Sequence, residues 1–74
     1  MVTVKVVWRD TGKPAKGSRV VIGFDGFTRG VTSTEYTDSD GEAHFDAEPG
    51  TGEVYVDGNT KYRGHIAGRV VVYI

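Results

Sequence analysis

The chain has 74 residues, with nine Lys and Arg against ten Asp and Glu, for a formal charge of −1. That is room for one domain, which buries only roughly 60–65% of the surface its unfolded form exposes. The near-neutral balance lacks the electrostatic footprint of a nucleic-acid or anionic-membrane binder. No apolar run approaches the roughly 20 residues that span a bilayer, and no segment reads as a signal peptide.

Hydrophobic residues make up 38% and charged residues 26%, a globular composition. Eleven glycines are about twice the usual share of roughly 7% and imply many turns. The absence of cysteine excludes disulfides, thiolate chemistry, Fe–S clusters and Cys-based zinc sites. It also favours a cytoplasmic protein, because a secreted domain of this size usually carries a disulfide staple.

Period-2 alternation runs through the chain, and no 3.6-residue period competes with it. Val2, Val4, Val6 and Trp8 form the inward set of a first strand. Arg9 to Gly17 carries the Gly, Pro and Asp chemistry of a loop. Val20, Ile22 and Phe24 mark a second strand, and Asp25-Gly26 a turn in which Phe27 is expected to be exposed. Val31 to Thr37 is Thr-rich and reads as a polar, exposed strand. The tight turn Asp38 to Gly41 feeds a short strand with Ala43 and Phe45 inward. Ala47 to Gly52 breaks the chain before the inward pair Val54 and Val56, and Asp57 to Asn59 turns it again. Tyr62 to Ile66 is a weak strand interrupted by Gly64, and Arg69 to Ile74 closes with Val70, Val72 and Ile74 on one face.

About seven short strands at regular spacing, with turn signals between them, predict an all-β fold: a small antiparallel sandwich as a single domain over residues 1–74. The near-continuous apolar run of the last strand predicts a central position with both neighbours in place. As an edge, the same run would be a pairing surface and a homodimer would follow.

The turn positions carry a resemblance. Asp10, Gly12, Pro14 and Gly17 lead into Ser18-Arg19-Val20, Thr37 to Phe45 spells TDSDGEAHF, and Pro49-Gly50 precedes Val54-Tyr55-Val56. From Val4 to Val72 this order is similar to the carboxypeptidase regulatory-like modules of the transthyretin-like (prealbumin-like) sandwich. The chain departs from that pattern at Ser18, at Ala43 and in the longer turn Thr51-Gly52-Glu53. The resemblance implies a seven-stranded Greek-key sandwich without catalytic activity. It further implies an accessory module that presents a sheet face or loops to a protein partner or a larger assembly.

Carboxylates are distributed unevenly. Residues 30–60 hold eight of them and no Lys or Arg, while the flanking segments are net positive. Cross-strand pairing of acidic middle strands with basic outer ones accounts for this pattern. A cation site at Asp38, Asp40 and Glu42 is the alternative, since oxygen ligands crowded in a turn suit Ca²⁺. His44 alternates with Glu42 and Asp46 on the solvent face, a second conceivable cluster. Among the aromatics, alternation turns Trp8, Phe24 and Phe45 inward. Tyr36, Tyr55 and Tyr73 fall on the opposite parity, and rings gathered on one face would offer a platform for a protein or a carbohydrate. Tyr62-Arg63-Gly64-His65 shares three residues with the Tyr-Arg-Gly-Ser tail of the hydroxyisourate hydrolases, a remote enzymatic alternative. No G-x-S-x-G surrounds Ser18, Ser33 or Ser39, so a Ser-His-Asp hydrolase finds no support.

Overall fold

A computed structural model describes residues 1–26 and 29–74; the expectation for Phe27 lies outside the described residues. Alternating valines build the first sheet. β1 (Val2–Val7) lies at its centre, flanked by β5 (Glu42–Phe45) and β8 (Arg69–Tyr73). The second sheet is assembled from β2 (Arg19–Phe24), β3 (Gly30–Val31), β4 (Glu35–Tyr36), β6 (Gly50–Val56) and β7 (Asn59–Ile66). Here β2 and β6 are the inner strands and β7 an outer one, while β3 and β4 both pair with β2. The fold is all-β, and among the described residues no helix is long and apolar enough to cross a membrane.

The two sheets close over one core. Val2, Val4, Val6, Ala43, Phe45, Val70 and Val72 face it from the first sheet, and Val20, Ile22, Phe24, Val54, Val56 and Ile66 from the second. Burying side chains of this kind is worth roughly 1.5–3 kcal/mol each, most of which ordering the chain consumes.

Eight strands appear where about seven were expected, because the Thr-rich segment 31–37 is interrupted. β3 pairs with the Gly23–Phe24 end of β2, and β4 with the Arg19–Val20 end. Between them Thr32 bends the chain, yet stays attached. Its N–H donates to the Ile22 carbonyl (2.8 Å) and its Oγ1 accepts from the Ile22 N–H (3.1 Å).

Strand direction departs from the purely antiparallel expectation. β1 and β5 run antiparallel, but β1 and β8 run parallel, with Val4 opposite Val70 and Val6 opposite Val72. The reason is topological: β7 belongs to the other sheet, so the chain crosses sheets through Ala67-Gly68 and re-enters beside β1 in the same direction. Side-chain alternation carries no information about direction.

Two side-chain placements also differ. Trp8 is 48% exposed rather than in the core. β1 ends at Val7, and Trp8 already belongs to a turn: its N–H donates to the Lys13 carbonyl and its own carbonyl accepts from Gly12. Val7, on the outward parity, is buried instead, with Tyr73 opposite it on one side and Pro14 on the other.

The last strand is an edge, not a central strand. β8 pairs with β1 on one side, and among the described residues no strand pairs with its other side. Only Val70 and Val72 of its apolar run are buried, while Val71 and Tyr73 are exposed.

Candidate functional site

The turn Asp38 to Gly41 is built around one carboxylate. Asp38 Oδ1 accepts from the N–H groups of Asp40 (2.9 Å) and Glu42 (3.0 Å), a side-chain mimic of a backbone turn. Those backbone donors, the Glu42 N–H foremost, hold the Asp38 carboxyl below its usual range, helped by the nearby His44 ring. Gly41 takes φ +74°, and a Cβ there would lie 2.6 Å from the Val6 carbonyl oxygen. The turn is thereby seated on β1, whose Val6 N–H donates to the Gly41 carbonyl.

The three carboxylates named for Ca²⁺ are used separately. Asp38 serves its own turn, Asp40 is exposed, and Glu42 meets Arg69 at 3.0 Å. Among the described residues no group of three or more His, Asp or Glu side chains has the arrangement to hold a metal. His44 shares a hydrogen bond with Thr3 Oγ1 (2.9 Å) and stands 3.8 and 3.9 Å from Asp38 and Glu42. Sequence spacing finds Glu42 beside His44 but not Thr3 or Arg69, which join this outward row only through β1 pairing with both neighbours.

The tyrosines are divided between the sheets. Tyr36 lies opposite Arg19 and Tyr55 opposite Val21, both on the larger sheet. Tyr55 lays its ring over Gly23 and donates from its hydroxyl to Glu53 Oε2 at 2.7 Å, which raises its pKa. Tyr73 belongs to the smaller sheet, 5.7 Å from the Arg9 guanidinium. The three rings therefore do not form one platform.

Residues 62–65 lie within β7. Tyr62 donates to the His65 carbonyl (3.0 Å), and Arg63 pairs with Asp25 (2.8 Å) and Glu53 (3.7 Å). These bonds brace the strand. Among the described residues no pocket is present.

What remains open is the edge of β8. The Thr3 N–H donates to the Gly68 carbonyl, the Ile74 N–H to the Val7 carbonyl, and the Arg9 N–H to the Ile74 carbonyl. Even-numbered residues thus turn their main chain toward β1. By strand alternation, the N–H and C=O groups of Arg69, Val71 and Tyr73 point outward.

Compared with family models, curated proteins and solved structures, the chain matches none.

The other edges are guarded as soluble sheets usually guard theirs. β7 carries exposed Lys61 and His65; β5 has four residues and is followed by Asp46 and Glu48; β3 and β4 have two residues each. On β8 the only charge is Arg69, and its guanidinium reaches across β1 to Glu42, away from the free side. Val71 and Tyr73 are left beside the open main chain, with exposed Trp8 just past the end of β1.

Proposed function

We propose that the chain is a non-catalytic interaction module of the transthyretin-like, Greek-key kind, which binds a protein partner by taking a strand onto the free edge of β8. One observation carries this reading: an unguarded five-residue edge with outward main-chain groups at Arg69, Val71 and Tyr73. Strand addition draws affinity from main-chain hydrogen bonds and selectivity from alternate side chains. Val71 and Tyr73 supply an apolar outward face for such contacts, while Val70 and Val72 remain in the core. The resemblance of the turn motifs to carboxypeptidase regulatory-like modules agrees with an accessory role.

A titration of ¹⁵N-labelled protein with a synthetic alternating Thr/Val peptide tests it. Saturable amide shifts centred on Arg69, Val71 and Tyr73 are expected. Replacing Val71 by Pro removes one outward donor without taking a bond from β1, and should abolish the shifts. Binding confined to residues 37–46, or none at millimolar peptide, overturns the proposal.

A further inference from the structure

Resting on that reading of the edge, we infer that the strand taken up by β8 is the β8 of a second copy, joined antiparallel about a two-fold axis at Val71. The strand is self-complementary. Its outward main-chain groups sit at Arg69, Val71 and Tyr73, spaced evenly about Val71. An antiparallel copy centred there sets Val71 against Val71 and Arg69 against Tyr73, and each of these pairs exchanges two hydrogen bonds. In a two-fold interface the same patch serves both copies.

Charge permits this register. The only ionic side chain of the strand lies opposite the Tyr73 ring, which has Arg9 of its own copy 5.7 Å from its centroid. Each Arg69 is drawn away from that ring toward Glu42 of its own sheet. A formal charge of −1 per copy adds little repulsion. Pairing also continues the smaller sheet across the axis, with Val70 and Val72 of each copy next to Val72 and Val70 of the other. The edge of β7 has no comparable match: an antiparallel copy centred on Arg63 would set guanidinium against guanidinium.

A five-residue strand buries little area, so the dimer belongs to the weak, transient class. Sedimentation equilibrium and amide exchange should therefore run from about 10 μM to about 1 mM. Association is expected at the upper end, with exchange slowing at the amides of Arg69, Val71 and Tyr73. Those of Val70 and Val72, already bonded to β1, should be unaffected. Val71→Lys and Val71→Glu each set like charges on the axis and should weaken self-association by up to about fivefold. Mixing the two variants should restore it, because Lys then meets Glu. Val71→Thr, uncharged and β-branched, should associate as the parent does.

If the parent protein stays monomeric at about 1 mM while the Thr/Val peptide shifts the same amides, the second copy is overturned and the edge reading survives. If neither event occurs, both fall. Association that Val71→Lys leaves intact, or that the Lys/Glu mixture fails to restore, overturns the axis at Val71.

Discussion

Thr37 donates from its buried hydroxyl to the carbonyl of Ala15 at 2.6 Å, and the same oxygen accepts the Ser18 N–H at 2.8 Å. This one side chain ties the loop before β2 to the segment entering the Asp38 turn. Replacing Thr37 by Val keeps the shape but leaves a buried N–H and a buried carbonyl without a partner, each worth roughly 1–3 kcal/mol. The expected loss is about 2–3 kcal/mol in urea unfolding, a large share of the stability of a 74-residue domain. Thr37→Ser retains both bonds and should lose less than half as much.

Gly41→Ala should be more damaging than an exposed glycine substitution elsewhere. Its φ of +74° strains any other residue, and the added Cβ would collide with the Val6 carbonyl oxygen and Pro14 Cβ at 2.6 and 2.9 Å. Strain of this kind costs about 1–3 kcal/mol, with overpacking in addition. Gly12 has φ +74° and open space around it, so Gly12→Ala isolates the backbone term. The difference between the two urea midpoints measures the clash, and equal midpoints would show that the turn yields freely.

Much of this frame is legible in the sequence because alternation and turn chemistry are local. Val4, Ile22, Val54 and Val72 are core residues both by parity and in the structure. Trp8 is lost to the same rule, since parity cannot see that β1 stops at Val7. Direction and neighbourhood are non-local, so the parallel β1–β8 pair and the edge position of β8 leave no local trace. A buried central strand and an edge strand with one apolar face differ only at Val71 and Tyr73, where the residue type does not reveal exposure. The Oδ1 bonds of Asp38 are equally invisible in the sequence, where Asp38 to Gly41 reads as a tight turn with a cation site as the alternative.

The depressed Asp38 pKa gives stability a pH dependence with a definite sign. A carboxyl whose folded pKa lies below its unfolded value of about 3.9 contributes above that value. As pH falls through the folded pKa, the contribution is lost, because the protonated acid is the poorer acceptor for Glu42 and Asp40 N–H. Asp38→Asn removes the titration, so its stability curve should be flatter than the parent's below about pH 4. Urea unfolding between pH 2 and 6 measures both; parallel curves would show that Asp38 does not titrate with folding.

Arg29 lies over the Phe24 ring, 3.9 Å from its centroid, and donates to the carbonyls of Glu48 (2.7 Å) and Pro49 (3.0 Å). One exposed guanidinium therefore clamps the loop before β6 onto the end of β2. Arg29→Ala should cost about 1–2 kcal/mol and speed amide exchange at Gly50 and Thr51, ahead of global opening. Lys at this position keeps the charge but not the planar fork, so it should recover only part of the loss.

Trp8 separates a core aromatic from a surface one in a single experiment. A core Trp reduced to Ala typically costs about 3–5 kcal/mol. At 48% exposure, outside the buried core, Trp8→Ala should cost less than about 1.5 kcal/mol. As the only tryptophan it also reports its own surroundings, and its emission should be red-shifted and readily quenched by acrylamide in the folded state. A blue-shifted, protected spectrum together with a cost of several kcal/mol would place Trp8 back under the sheets.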